Sequence, residues 1–161
     1  MIEQQDAARS HNYLFIVGED RRMTYQVQNT NIASISLGTV PIPYGQKDLY
    51  YPSNKIETDV LTLNILISED FKEWLDVYKW ILNLKADNTL NYAKTCELFV
   101  LNSNDQPSIS FVYYDCFPFQ MDEVGFSATG ESNVLSFNVS LRYNDFVVIA
   151  NGQRITNEWF E

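Results

Sequence analysis

Residues 134–143 read VLSFNVSLRY, an unbroken alternation. Leu135, Phe137, Val139, Leu141 and Tyr143 fall on one side of an extended chain and Ser136, Asn138, Ser140 and Arg142 on the other, because successive side chains of a strand point to opposite faces. A strand that is apolar on one side and polar on the other belongs to an antiparallel sheet with one face buried and one wet. Residues 60–67, VLTLNILI, repeat the pattern, with Leu61, Leu63, Ile65 and Ile67 inward and Thr62 and Asn64 outward. Met23 to Gln28 does so again, setting Met23, Tyr25 and Val27 against Thr24, Gln26 and Gln28.

Outward from these segments the chain supplies more strands. Tyr13 to Val17 is a short apolar run, and the turn Gly18 to Arg22 predicts a hairpin between it and Met23 to Gln28. Ile32 to Leu37, Glu97 to Leu101, Ser108 to Tyr114 and Cys116 to Gln120 read as further strands, with a turn at Asn102 to Pro107. One helix interrupts them. Ser68 is a good N-cap, Glu69 and Asp70 suit the positive end of a helix dipole, and Phe71, Trp74, Leu75, Tyr78, Ile81 and Leu82 recur at helical spacing. The pattern predicts a helix over 69–84 docked by that stripe, with Val77, Trp80 and Leu84 as a second apolar line left outside. The expected fold is mainly β with one flanking helix, two packed antiparallel sheets forming a sandwich or barrel, in a single domain over 1–161.

Three segments escape the strand pattern. Residues 1–12 are polar and read as an N-terminal arm. Residues 147–161, VVIANGQRITNEWFE, extend the chain beyond the last clear strand. Residues 38–54, GTVPIPYGQKDLYYPSN, hold three prolines, two glycines and three tyrosines and read as a long loop. A connection of that length usually has a task. Its tyrosines either fold back on the core or supply interface area, for which tyrosine is suited.

Composition narrows the function. The 161 residues carry 11 Lys and Arg against 21 Asp and Glu, a formal charge of −10. Between Thr95 and Leu141 there is no Lys or Arg, while Glu97, Asp105, Asp115, Asp122, Glu123 and Glu131 all fall there. A protein that grips nucleic acid clusters cations against phosphate; this chain offers no such cluster, although an acidic wall suits a surface that meets DNA without holding it. No apolar run approaches the roughly 20 residues of a membrane helix, and MIEQQDAARSHNYLFIVG is not a secretion signal, so no membrane insertion is expected and Cys96 and Cys116 read as reduced thiols.

Chemistry is hard to build from these residues. The single histidine, His11, lies in the arm, and one His with two separated Cys does not make a metal site. Asp122 and Glu123 are adjacent and would point to opposite faces of a strand. Phosphate-binding glycine loops are absent. Neither catalytic residues, nor a metal, nor a cofactor are expected.

Four segments together resemble the tail tube family of contractile-tailed bacteriophages: NYLFIV (12–17), MTYQVQNTNIASISL (23–37), VLTLNILISEDFKEWLDVYKWI (60–81) and CFPFQMDEVGFSATGESNVLSFNVSLRYNDF (116–146). The last looks like the family's closing hairpin. The proline usual near the end of the family's third strand is missing here, and the chain runs on through 147–161.

The resemblance implies hexameric rings stacked into a hollow conduit through which genomic DNA passes without specific binding. It also implies partners in the tail sheath and baseplate, and a place in the virion tail after assembly in the host cytoplasm. On this reading Tyr44, Gly45, Gln46, Lys47, Asp48, Leu49, Tyr50, Tyr51 and Pro52 form an intersubunit loop. Thr24, Gln26, Gln28, Thr62, Asn64, Ser136, Asn138 and Ser140 face the lumen, and Arg142 pairs with a carboxylate near the rim. A tube-initiating or terminating ring at the baseplate or neck is the alternative within the family. From a different class comes a monomeric β-sandwich that binds a ligand at its tyrosine-rich loop.

Overall fold

The computed structural model describes residues 13–18, 27–128 and 134–155. In chain order they form β1 (Tyr13–Val17), β2 (Val27–Thr30), β3 (Ile35–Tyr44), β4 (Lys47–Thr58), β5 (Leu61–Leu66), α1 (Lys72–Asp87), a 3-10 turn (Leu90–Tyr92), β6 (Lys94–Leu101), β7 (Pro107–Met121), β8 (Ser136–Arg142), β9 (Asp145–Ala150) and β10 (Gln153–Arg154). The expected arm with His11, the candidate residues Thr24 and Gln26, and positions 156–161 of the extension lie outside the described residues.

All pairings are antiparallel, and the strands run β1-β6-β7-β8-β5-β2, with β9 against β7 and β10 against β9. Strand β7 belongs to two layers. Its first half, Ile109 to Tyr114, lies between β6 and β9, whereas Phe117 to Met121 pair with β8. Between the halves stands Asp115 with φ 56°, a left-handed residue that breaks the pleat and turns the strand. The result is two antiparallel sheets, β1-β6-β7-β9-β10 and β7-β8-β5-β2, as the alternation required.

Their inner faces meet in one core. Leu61, Leu63 and Ile65 of β5 and Phe137, Val139 and Leu141 of β8 are wholly buried, opposite Phe15, Val17, Leu98 and Tyr113. Each such aliphatic side chain contributes roughly 2 kcal/mol by leaving water. Tyr113 packs edge-on to Tyr143 at 4.9 Å, and the Tyr143 hydroxyl donates to the Asp59 carbonyl at 2.9 Å, pinning the start of β5. Cys96 and Cys116 are free and buried in this core; the hydrogen bond between them, then burial, pushes the Cys96 thiol well above its usual range.

Five expectations are corrected. β1 pairs with β6 and not with β2, so the N-terminal hairpin is not formed by the described residues. Segments 108–114 and 116–120 are one strand, and 147–154 is not a bare extension but most of β9 together with β10. Helix α1 starts three residues later than the Ser68 cap implied, with Phe71 as N-cap at φ 56° and no side-chain cap bond. Its most buried line is Glu73, Val77 and Trp80; of the expected stripe, Phe71, Trp74 and Ile81 are partly buried against the core, while Leu75, Tyr78 and Leu82 are exposed.

Glu73 explains the displaced helix start. Its Oε2 accepts from the Ser68 backbone N–H at 3.0 Å and from the Ser68 hydroxyl at 2.8 Å, closing the β5–α1 connection. Burial pushes this carboxyl up, but the Ser68 N–H, its own N–H and the Ser68 hydroxyl outweigh burial and hold it below the usual carboxylate range. A carboxyl lowered in the fold stabilises fully above its unfolded value and stops doing so as the pH falls through its folded value. Glu73→Ala is therefore expected to cost about 1–3 kcal/mol at neutral pH, read by urea unfolding. The loss should shrink in acid, and a loss unchanged across that range would contradict the assigned role.

Candidate assembly surfaces

The outer face of the β7-β8-β5-β2 sheet is polar and nearly uncharged. Across β5 and β8, Thr62 lies opposite Ser140 and Asn64 opposite Asn138, with Ser136 one step along beside Leu66. The Asn64 amide donates to Asn138 Oδ1 at 2.8 Å and lies 3.4 Å from the Ser136 hydroxyl. Asn29 of β2 stands opposite Asn64, and a bulge at Gln28 shifts the register between Val27 and Asn29. Five of the eight residues read as lumen-facing, Thr62, Asn64, Ser136, Asn138 and Ser140, thus share one sheet face. Gln28 lies in the bulge at its edge, where the Tyr13 hydroxyl donates to its carbonyl.

Asn29, Asn31 and Gln120 complete this face, and the alternation of their own segments did not single them out. Asn31 Oδ1 accepts from the Thr62 N–H at 3.2 Å and Gln120 donates to Asp122 at 3.0 Å. Arg142 corrects the rim expectation, since among the described residues its guanidinium lies over the Phe119 ring, 4.8 Å from the centroid, rather than against a carboxylate. That contact holds the cation flat against the wall and satisfies it by the ring quadrupole.

The segment read as a long loop is a two-stranded ribbon standing off the sheets. Strands β3 and β4 pair from Ile35 and Thr58 out to Tyr44 and Lys47, around a two-residue turn at Gly45 and Gln46. Gly45 takes φ 64° there, the backbone that a II′ turn needs at its first central residue. Directly opposed residues share a face, so Val40, Ile42, Tyr44, Leu49 and Tyr51 form one apolar face, and all are exposed. Tyr50, 68% exposed, lies on the other face with Asp48 and three prolines, Pro41, Pro43 and Pro52.

The prolines make the ribbon's edges unequal. In a two-residue hairpin the pair flanking the turn is hydrogen-bonded and the pairs then alternate. Tyr44, Ile42 and Val40 therefore bond across to β4, while positions 39, 41, 43, 48, 50 and 52 direct their N–H groups outward. Proline occupies 41, 43 and 52, so over 39–44 the outer edge of β3 keeps one donor, at Thr39, and over 47–52 that of β4 keeps Asp48 and Tyr50. Edges without donors resist strand addition.

Nearer the sheets, Gly38 faces a β4 excursion at Ser53 to Lys55, where a Cβ on Gly38 would lie 2.5 Å from Ser53 Oγ. α1 adds another exposed apolar patch, Leu75, Tyr78 and Leu82, with Tyr78 stacked at 5.3 Å on Trp74, which is partly buried against the core. No group of three His, Cys, Asp or Glu side chains able to hold a metal occurs among the described residues. Nor is any described helix long and apolar enough to cross a membrane.

No protein-family profile matches the chain. It is 27% identical over 143 residues to the tail tube terminator protein of Enterobacteria phage T4, covering 82% of this chain and 81% of that one. Its fold matches the tube-terminating cap of the anti-feeding prophage, with a TM-score of 0.74 at 14% identity over 93% of this chain and 95% of the other. It also matches a chain of the sheath–tube complex of the PVC extracellular contractile injection system in its extended state, with a TM-score of 0.67 at 16% identity over 89% and 92%. At those identities the structural likenesses establish the fold, and the resemblance read from the four segments stands with them.

Gly38→Ala should force the ribbon to give at its base. The expected outcome is severalfold faster hydrogen exchange at the Val40 and Tyr51 amides, with the sheet amides unchanged, and recovery when Ser53→Ala is added. Unaltered ribbon exchange in Gly38→Ala would show that the close approach does not hold the ribbon in place.

Proposed function

We propose that this chain is a structural subunit of a contractile tail, whose copies join into a hexameric ring of the tail tube type. The observation that carries this reading is the four-stranded sheet with an outer face rich in amides and hydroxyls, whose edges at β2 and at 117–121 of β7 pair on their outer sides with no described strand. Long strands with free edges aggregate unless partners close them, and a ring closes every edge at once. The polar face then lines a lumen. Asn, Ser and Thr hydrogen-bond to water, and Arg142 over the Phe119 ring is not the cluster of cations that grips phosphate, so genomic DNA can pass along such a wall without being retained.

The ribbon is the contact between stacked rings or with the next component of the tail. Its apolar face, Val40, Ile42, Tyr44, Leu49 and Tyr51, supplies the area, and this assignment keeps Tyr44 to Pro52 as the intersubunit segment. The exposed side of α1, Leu75, Tyr78 and Leu82, faces outward, toward sheath or baseplate components. The subunit acts mechanically, by holding a bore open and presenting a surface at each end, rather than as an enzyme. Its place is the virion tail, after assembly in the host cytoplasm.

Within the tail, the terminating end is the position best supported, because the curated relative is named a tube terminator and its likeness spans most of both chains. A subunit of the main tube is the second reading, favoured by the match to a sheath–tube complex. A terminator joins a tube at one face and stops it, whereas a main-tube subunit adds to itself repeatedly.

Negative-stain microscopy with light-scattering mass across a concentration series tests both. Single or paired rings that never lengthen are the terminator outcome, and long hollow tubes are the main-tube outcome. A stable monomer with a ligand bound at the ribbon would overturn the proposal in favour of a binding module. Ile42→Ser with Tyr51→Ser should leave ring formation intact and abolish capture of preformed tubes, read by cosedimentation.

A further inference from the structure

Cys96 of β6 and Cys116 of β7 are wholly buried in the same core cluster. The fold brings them together across the bend. Between the pairs Lys94–Cys116 and Cys96–Tyr113, a step of two residues along β6 is matched by three along β7, and the extra residue belongs to the turn of chain at Asp115, φ 56°. That turn carries Cys116 round to the core side. Its thiol donates to the carbonyl of Tyr113, the residue directly opposite Cys96, at 3.4 Å, and the Cys96 thiol is hydrogen-bonded to Cys116 itself. Two sulfurs on adjacent strands, facing one side and in contact, are poised for a bond that requires only a short approach.

Their surroundings set the order of events. The Lys94 ammonium and the Gly18 N–H favour a thiolate at Cys96, and the thiolate is the reactive form of cysteine. The bond to Cys116, then burial, outweigh both and push the Cys96 thiol up, so the pair stays protonated until an oxidant is supplied. Access selects the oxidant. With both residues wholly buried, a small molecule can enter as the strands breathe, whereas a bulky disulfide such as oxidised glutathione cannot reach either sulfur.

We infer that Cys96 and Cys116 are an oxidation site, which a peroxide closes to an internal disulfide linking β6 to the second half of β7. Cys96, having given up its proton, attacks one peroxide oxygen; the O–O bond breaks and the departing hydroxide takes that proton to become water. Cys116 then attacks the sulfenic acid at Cys96, forming the S–S bond and releasing the hydroxyl as a second water with the Cys116 proton. Overall two thiols and one hydrogen peroxide give one disulfide and two waters, the sulfurs losing two electrons and the peroxide gaining them. The link closes a loop of about 20 residues and fixes β6 to the chain just past the bend, so it should stabilise the fold. On the tail reading above, the thiols stay reduced in the cytoplasm and close only once the particle is outside. The closing chemistry itself is the same in a lone copy and in a ring.

The test treats the full chain with hydrogen peroxide, or separately with oxidised glutathione, then alkylates it in denaturant without reductant and maps the peptides by mass. Peroxide should yield one cross-linked peptide pair joining Cys96 to Cys116, lighter by two hydrogens and closed to alkylation, and a reductant should reopen it. The urea midpoint of the oxidised chain should lie above that of the reduced chain and return on reduction. Oxidised glutathione should leave both thiols free to alkylate. In Cys116→Ala a sulfenic acid at Cys96 should be trapped by dimedone, while in Cys96→Ala the remaining thiol should be consumed at least about tenfold more slowly than Cys96 is in the parent. Peroxide that leaves both parent thiols open to alkylation, carries them to sulfinic acids without a cross-link, or joins only separate copies would overturn the site. A cross-link that lowers the urea midpoint would overturn its role as a stabilising link.

Discussion

Strand β7 is a member of both layers, and the geometry of the molecule follows from the bend in its middle. Asp115, at φ 56°, reverses the pleat between Tyr114, which pairs with β9, and Phe117, which pairs with β8. An aspartate tolerates this backbone better than a branched residue would. The strand following β8 returns across the bend, where the Asn144 N–H donates to the Tyr114 carbonyl at 3.0 Å and Tyr143 and Phe146 pack around Tyr113. Were β7 straight, β8, β5 and β2 would continue the first sheet, and the apolar faces of β5 and β8 would have nothing to close on.

That bend also separates two kinds of surface. The second sheet turns its apolar side to the core and leaves outside a face of asparagine, serine and threonine. Apart from Arg142 and Asp122, charged groups lie elsewhere: Asp115 at the bend, Asp105 in the β6–β7 turn, and exposed pairs such as Lys55 with Glu57 at 3.5 Å on the ribbon. Exposed pairs of that kind contribute little to stability. A neutral polar wall in an acidic protein makes physical sense for a conduit, because a nearby negative field discourages adhesion while hydroxyls and amides keep the surface wet.

The ribbon and the outer side of α1 stand apart from this order. Both expose aromatic and aliphatic area that the chain does not cover, and both are otherwise well built, the ribbon by a continuous cross-strand register and α1 by Glu73, Val77 and Trp80 beneath it. The Trp80 indole N–H donates to the Tyr92 carbonyl at 2.6 Å and the ring carries the Lys94 ammonium at 4.7 Å, so α1 is anchored firmly while Leu75, Tyr78 and Leu82 face out. Rigid, exposed apolar area of this kind marks an interaction surface.

Periodicity alone determined the two strands that matter most. In β5 and β8 every inward residue was legible, because a side chain alternates whatever lies beyond it, and the same alternation picked out Thr62, Asn64, Ser136, Asn138 and Ser140 as one polar face. Charge and composition likewise pointed away from anion binding without any coordinates. What alternation cannot state is the identity of the partner. Both helix lines, Phe71 to Leu82 and Val77 to Leu84, are amphipathic readings of the same segment, and tertiary packing buried Val77 and Trp80 while leaving Phe71, Trp74 and Ile81 partly covered and Leu75, Tyr78 and Leu82 outside. The ribbon was hidden by its own prolines, which read as loop residues until the pairing set each of them where no cross-strand N–H is needed. That Asn29, Asn64 and Asn138 stand opposite one another was not legible either, because they are far apart in the chain and register between strands is settled by tertiary packing, not by any one strand's pattern.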